Sequence, residues 1–147
     1  MEVTAHLVTH SNIGNAENSH TDKEDARPAK DLNTKSTQIS EDLYEVGLRL
    51  TMTVTDGEDT IYLIEVEQAG LFVIKGLDPQ QAAHVINTTC PTILFPYARE
   101  AIDSVLTKGS FPALMLPPIN FDALFASALQ QAEAKAAEES KGDDTTH

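Results

Sequence analysis

The strongest structural constraint in the sequence is a strict alternation of apolar and polar side chains from Tyr44 to Val54. Apolar residues occupy every second position of this run, and mostly polar residues stand between them. Because the side chains of a β-strand point alternately to opposite faces, the pattern predicts a strand with one buried face. The dipeptide Asp56-Gly57 follows and is typical of a turn, since glycine accepts a positive φ without strain.

Two further runs predict the rest of an antiparallel sheet. Residues 60–68 form the second predicted strand, which Ala69-Gly70 ends, and residues 71–74 form a short third one. One face of the second strand is apolar. The other mixes aliphatic and acidic side chains and is expected to face solvent: Ile61, Leu63, Glu65 and Glu67. Three strands joined by short turns favour a meander.

The second half of the chain has helical spacing. Asp78 is placed to cap a helix that Pro79 opens, and apolar residues recur at helical intervals from Tyr97 until Gly109, which is placed to end that helix. Asn120 is placed to cap a last helix, with apolar residues on one face. Strands followed by helices are typical of an α+β fold, with the helices on one face of an antiparallel sheet.

Prolines are expected to shape the connections. Pro91 and Pro96 are predicted to interrupt a continuous helix in this region, or to open its next segment. Residues 111–119 contain three prolines and are predicted to be extended. This segment is also rich in apolar side chains, so we expect it to pack on the protein or to bind a partner.

The charge of the chain excludes several classes of partner. The chain has 23 acidic and 10 basic residues, a net charge of −13. An unaided nucleic-acid binder, or a protein anchored on anionic lipid, needs a basic patch for which this chain has too few lysines and arginines. No apolar run approaches a membrane span, and residues 1–10 lack the pattern of a secretory signal. The single cysteine, Cys90, cannot form an internal disulfide, so we expect a soluble protein of the reducing cytoplasm.

The two ends of the chain differ from its middle. Residues 1–30 are polar, and their few apolar side chains predict a poorly ordered, mostly disordered segment. Residues 132–147 are predicted to form an acidic, flexible tail whose first half can prolong the preceding helix. Residues 41–131 hold most of the apolar side chains together with twelve acidic and four basic ones. The folded part is therefore expected to have an acidic surface, which attracts basic partners.

Catalytic and metal sites have weak support in the sequence. Cys90 and His84 could act as a nucleophile and its base, but no orienting third group or oxyanion donor stands near them. His6 and His10 are four residues apart without further ligands, and the glycines do not cluster as in a phosphate loop. We therefore expect no catalytic residues, no metal and no cofactor.

Several segments resemble the SecB family of bacterial protein-export chaperones. The resemblance is collinear and nearly gap-free from about Asp31 to Gln131. It is carried by residues 42–46 (DLYEV), 65–72 (EVEQAGLF), 92–100 (TILFPYARE) and 109–125 (GSFPALMLPPINFDALF). Residues 1–30, by contrast, do not resemble the further strand with acidic docking residues that precedes this region in the family. Residues 3–9 are the candidate for a short substitute strand.

The resemblance implies a fold, a function and partners. It implies an α+β fold in which helices pack on one face of an antiparallel sheet, a SecB-like meander, and assembly into a homotetramer that is a dimer of dimers. The family members are not enzymes. They are cytoplasmic chaperones that hold unfolded precursor proteins and deliver them to SecA, the motor ATPase of the secretion channel. The motor's basic, zinc-containing C-terminal segment docks on the acidic sheet face, where Leu63 and Glu65 occupy docking positions of the family.

A chaperone must bind many different client sequences, and an apolar surface can do so. The attraction between apolar groups depends on the area removed from water and not on direction. The candidate lining comes from the proline-rich loop and its neighbours: Phe72, Phe111, Leu114, Met115, Phe121 and Phe125. Each of these could equally be an ordinary core or interface residue. Two other functions stay open: an acidic oligomeric adaptor that docks a basic partner without holding clients, and a thiol- or esterase-type enzyme that uses Cys90 and His84.

Overall fold

The computed structural model describes the backbone of residues 5–15 and 27–142 and the side chains of residues 30–140. Within this part four strands form one antiparallel sheet in the order β1-β4-β3-β2. They are β1 (Ala5–Asn15), β2 (Arg27–Gln38), β3 (Leu43–Asp56) and β4 (Asp59–Val73).

The β3–β4 hairpin has the alternation that the sequence predicts. Gly57 has a positive φ of 60° in the tight turn, and the strands pair from Leu43 opposite Val73 to Asp56 opposite Asp59. Every second side chain of both strands is buried on the inner face. These residues are Val46, Leu48, Leu50, Met52, Val54, Tyr62, Ile64, Val66, Gln68 and Phe72.

The separate third strand predicted at residues 71–74 is wrong. Residues 71–73 are the end of β4, which continues through Ala69 and Gly70, and Ile74 follows the strand. Gly70 pairs with Val46 on one side and with Leu7 on the other, because β4 is a central strand. Hydrogen bonding to two neighbours keeps this small-residue pair in the strand despite its weak β-propensity.

The structure also differs from the expectation that residues 1–30 are mostly disordered. Residues 5–15 form β1, paired along β4 from Ala5–Phe72 to Asn15–Tyr62, and residues 27–30 begin β2. The candidate substitute strand at residues 3–9 overlaps β1, and its first two residues lie outside the described part. A strand at the edge of a sheet is supported by main-chain hydrogen bonds to its neighbour, which do not require a strong apolar alternation.

Three helices follow the sheet: α1 (Pro79–Asn87), α2 (Thr89–Lys108) and α3 (Phe121–Gly142). Asp78 caps α1 as predicted, in a capping box in which the Gln81 amide donates to Asp78 Oδ1 at 2.8 Å and the Asp78 amide donates to Gln81 Oε1 at 3.1 Å. Asn120 caps α3, since its Oδ1 accepts the Ala123 amide at 3.0 Å. The predicted prolongation of α3 beyond residue 131 is confirmed as far as Gly142.

Pro96 does not interrupt the second helix. Pro91 stands in the first turn of α2, where the amide has no helical partner in any case, and Pro96 lies inside the helix. The buried neighbours Leu94, Phe95 and Ala98 hold this stretch against the sheet. The free energy gained by burying that face exceeds the cost of the one helical hydrogen bond that Pro96 cannot donate.

The helices cover one face of the sheet, as predicted. α2 lies against β4 and β3 and contributes most of the buried helical residues, with Val85 and Ile86 of α1 beside it. Among the described side chains of α3, only Phe121 belongs to the core. Residues 111–119 have no regular secondary structure, as their prolines predict. Among the described residues, no helix combines the length and apolar composition that a membrane crossing requires.

Gly109 ends α2, but the left-handed position belongs to Ser110, with a φ of 65°. The Ser110 amide donates to the Thr107 carbonyl and the Phe111 amide to the Leu106 carbonyl, the two bonds of a Schellman motif. The position after the cap usually holds glycine, because a Cβ makes the left-handed conformation unfavourable.

We therefore expect Ser110→Gly to raise the free energy of unfolding by about 1 kcal/mol. Gly109→Ala is the matched control: Gly109 has an ordinary φ of −84°, so the change relieves no left-handed strain, and the new Cβ would lie 3.3 Å from Phe111 Cδ2. It should give a smaller gain in the free energy of unfolding than Ser110→Gly, or none. Urea denaturation at one fixed protein concentration measures both, and a midpoint for Ser110→Gly at or below that of the parent would contradict the assignment.

Candidate functional site

The outer face of the sheet carries the predicted docking residues. Leu63 and Glu65 lie on the side of β4 away from the helices, and Leu63 is 42% exposed, whereas Glu65 is half-buried. Opposite them on β3 stand Thr53 and Thr51. This confirms the mixed, solvent-facing side of the strand, and it brings an aliphatic and an acidic side chain together on one open surface.

Arg49 and Glu67 form an ion pair on the same face that the sequence analysis does not single out. Arg49 Nη2 donates to Glu67 Oε2 at 2.8 Å, and both side chains are about half exposed. The hydrogen bond and charge of Glu67, followed by the charge of Glu65, raise the pKa of Arg49. The pair could be found in the sequence once the register of the hairpin is known, because residues 49 and 67 stand directly opposite each other.

A shallow polar depression of about 380 Å³ surrounds this ion pair. Its lining comes from the outward-facing positions of β2, β3 and β4: Asp31, Asn33, Lys35, Gly47, Arg49, Thr51, Glu65 and Glu67. Three acidic and two basic side chains are mixed in it, so an incoming charged segment would meet groups of both signs.

On the helical side, a groove of about 640 Å³ separates α3 from β2. Inward-facing residues of β2 form one wall, and the start of α3 with residues 118–120 forms the other. The lining is Lys30, Leu32, Thr34, Asn87, Pro118, Ile119, Asn120, Phe121, Ala123, Leu124, Phe125, Ser127 and Ala128. The groove is mainly apolar, with polar groups along its rim, a composition suited to extended peptide segments.

As far as the side chains of α3 are described, to residue 140, its first turns attach it to the rest of the protein. Phe121 is 4% exposed and meets the ring of Phe95 at 6.1 Å, and Phe125 meets the ring of His84 edge-on at 5.5 Å. His84 Nε2 also lies 3.7 Å from Asp122 Oδ1. Beyond this region α3 is exposed, which keeps the groove open along one side.

The structure divides the candidate client-binding residues among three places. Phe121 and Phe125 line the groove. Phe111, Leu114 and Met115 lie on the proline-rich loop, where the Phe111 ring packs on Tyr62 at 4.8 Å and Met115 is 78% exposed. Phe72 is fully buried in the core and has no surface in this chain with which to contact a client. The client-binding role of all six residues stays a prediction.

Cys90 and His84 are not brought together as a catalytic pair. Cys90 is fully buried, and burial raises the pKa of its thiol to about 12. The contacts of His84 are with Thr88, Asp122 and Phe125. A neutral, enclosed thiol cannot act as a nucleophile near neutral pH.

A metal centre is not formed by the described side chains, which include no group of three His, Cys, Asp or Glu residues suited to hold an ion. His6 and His10 lie outside the side chains that the structure describes, so their lack of a metal role stays a prediction.

Comparison with known proteins supports one family. The family model described as preprotein translocase subunit SecB matches residues 11–132. The chain is 57% identical over 105 residues to the protein-export protein SecB of Marinomonas sp., a match that covers 71% of this chain and 66% of that protein. It is 51% identical over 115 residues to the SecB of Marinobacter nauticus, covering 78% and 70%, respectively.

A similar match is found with the protein-export protein SecB of Pseudomonas savastanoi, at 55% identity over 101 residues, 69% of this chain and 62% of that protein. The chain thus spans less than two thirds of the length of the Marinomonas and Pseudomonas relatives. Among solved structures, the SecB-like chaperone of Mycobacterium tuberculosis in complex with an antitoxin peptide is similar, with a TM-score of 0.63 and 15% identity, covering 80% of this chain and 88% of that one. That likeness supports the fold.

The raised pKa of Cys90 predicts its reactivity. In the unfolded chain, labelling by a disulfide reagent should level off near pH 9, the ordinary range of a thiol, whereas in the native protein it should still rise up to pH 10. At pH 8 the native rate should be lower by at least about a thousandfold, because both the thiolate fraction and access are reduced. Cys90→Ala, which has no thiol, is the control for background labelling. Rapid labelling of the native protein at pH 8 would contradict a buried, neutral thiol.

Proposed function

Because the chain belongs to the SecB family of preprotein translocase subunits, we propose that it is a protein-export chaperone. In this proposal it holds unfolded precursor proteins in a translocation-competent state and delivers them to the SecA motor ATPase. The observation that carries the proposal is the open apolar groove between α3 and β2 in a chain of this family. A groove of this kind accepts many sequences, because apolar attraction follows the area removed from water.

Client capture would use the groove and the proline-rich loop together. Phe125, which is half-buried, offers aromatic surface in the groove, and the exposed Met115 offers a flexible, polarizable side chain on the loop. Neither contact requires a particular partner sequence. Release needs no nucleotide hydrolysis by this chain, since the client is handed to a motor that provides the energy.

Motor docking would use the outer face of the sheet. Leu63 provides exposed apolar surface and Glu65 a carboxylate beside it, a combination that suits a basic segment with an apolar anchor. The net charge of −13 would attract such a segment over a distance before contact.

Assembly into a homotetramer, a dimer of dimers, in the cytoplasm is part of the same proposal. Large apolar side chains remain exposed on both α2 and α3: Tyr97 is 50%, Leu124 48% and Leu129 49% exposed. Exposed apolar side chains of this size favour association with further copies of the chain. The proposal includes no catalytic step, no cofactor, no nucleic acid and no insertion into a membrane.

Leu124→Glu should weaken client binding by about five- to tenfold, because it places a carboxylate in the apolar groove. Leu129→Glu is the matched control: it lies on the same helix, is equally exposed and does not line the groove. The measurement is the delay in refolding of a urea-denatured precursor as a function of chaperone concentration, with light scattering to establish that all forms assemble alike.

The outcomes of this experiment separate the alternatives. If Leu124→Glu and Leu129→Glu weaken client binding equally, the groove is not the client-binding surface. A parent protein that leaves refolding unchanged, yet binds the basic motor segment, would be an acidic adaptor without holding activity.

Glu65→Lys should lower the affinity for the basic C-terminal segment of the motor by at least about tenfold and make its salt dependence shallower, because an ion pair is replaced by repulsion. Glu45→Lys makes the same charge change on the same face, six residues along β3 from the partner of Glu65 and therefore about 20 Å away. Calorimetry at several salt concentrations measures both variants. An unchanged affinity for Glu65→Lys would reject this docking role.

A further inference from the structure

The proline-rich loop, residues 111–119, is tied to α2 by one carboxylate. Asp103 Oδ1 accepts hydrogen bonds from the Leu114 amide at 2.8 Å and from the Met115 amide at 3.2 Å. A loop without regular secondary structure has no ladder to satisfy its amides, and hydrogen bonds to a charged acceptor are stronger than those between neutral groups. Asp103 is therefore the principal acceptor that orders the middle of this loop.

Met115 has a left-handed backbone at the same point, with a φ of 49°. That conformation is unfavourable for a residue with a Cβ, and such strain persists only where the surroundings enforce it. Successive amides that converge on one anion are typical of turns with a left-handed residue. The Asp103 carboxylate thus accounts for the conformation of Met115, and the methionine side chain is 78% exposed, more than the other exposed large apolar residues.

The loop is fixed on both sides of Met115 as well. On the side toward α2 the Phe111 ring packs on Tyr62, and burial together with the charge of Asp103 raises the pKa of Tyr62. On the other side Arg99 Nη1 donates to the Leu116 carbonyl at 3.4 Å. A flexible side chain consequently stands on a backbone with little freedom.

We propose that Asp103 is a positioning residue for client capture, which holds the Leu114–Met115 backbone so that Met115 is presented to non-native polypeptides as a ready-made apolar contact. The inference rests on the proposed holding function. Ordering the loop before a client arrives lowers the conformational entropy lost on binding, while the methionine itself still adapts to different clients.

Two measurements test this on the full-length chain: hydrogen exchange of the Leu114 and Met115 amides, and the concentration dependence of the refolding delay. Asp103→Ala should accelerate exchange at these two amides by at least about tenfold and weaken client binding by about three- to fivefold, with exchange in β3 unchanged. Asp103→Asn should bring both readouts closer to the parent values than Asp103→Ala does, because its amide oxygen can accept the same bonds, although without the charge. Glu100→Ala, which removes a nearby exposed charge of α2, is the control that should change neither.

Met115→Gly separates the backbone from the side chain. Glycine adopts a positive φ readily, so exchange should stay slow while client binding weakens to the extent seen in Asp103→Ala. If Asp103 acts through Met115, the double variant Asp103→Ala/Met115→Gly binds clients as well as Met115→Gly alone.

Additive losses in the double variant overturn the inference. So does parental client binding by Asp103→Ala, and so do values for Asp103→Asn that are no closer to the parent than those of Asp103→Ala. A parent protein that leaves refolding unchanged overturns the holding function itself. Exchange at Leu114 and Met115 would still show whether Asp103 orders the loop, so the two failures can be told apart.

Discussion

The burial of one face of the β3–β4 hairpin against α2 is the constraint on which the rest of the structure depends. The inner side chains of both strands and the inner face of α2 form one continuous core, and removal of each large apolar side chain from water contributes about 1.5–3 kcal/mol. A slip of one residue in the hairpin would exchange its two faces and place Glu65 and Glu67 in that core. The register, and with it the composition of the outer face, follows from the apolar pattern of the inner one.

The same constraint separates the two candidate binding surfaces. The outer face carries Leu63 and Glu65, whereas the groove lies on the helical side between β2 and α3. A client in the groove and a basic segment on the outer face would therefore not compete for the same residues. Of the described α3 side chains, Phe121 alone takes part in the core, so one wall of the groove is held at its base and left exposed beyond it.

Much of this arrangement could be predicted from the sequence, and the failures have physical causes. The hairpin, the capping by Asp78 and Asn120 and the end of α2 follow from local rules that depend on a few neighbouring residues. The edge strands and the continuity of β4 through Gly70 depend on pairing partners distant in sequence, which periodicity does not reveal. The placement of Leu63 and Glu65 on an open face was predictable for the same local reason as the hairpin.

The candidate site was less predictable than the fold. Phe72 and Phe125 are both apolar in the sequence, yet Phe72 is enclosed in the core and Phe125 is half-buried at the groove, a difference that arises from tertiary packing alone. The role of Asp103 was not predictable, because its bonds join positions eleven and twelve residues apart across a loop without a repeating pattern.

If the outer face of the sheet docks the motor as proposed, its charges would let a strongly acidic protein still discriminate among basic partners. In the polar depression three acidic groups, Asp31, Glu65 and Glu67, stand with two basic ones, Lys35 and Arg49, so the local balance is close to neutral. Because Arg49 is bonded to Glu67, part of that acidic charge is already satisfied within the protein. The long-range attraction then comes from the whole chain, whereas contact depends on a small number of groups in fixed positions. A partner that offers only diffuse positive charge would be attracted by the chain but would find few unsatisfied groups at the surface. A partner that matches Leu63 and Glu65 together would gain the long-range attraction and also the local contacts.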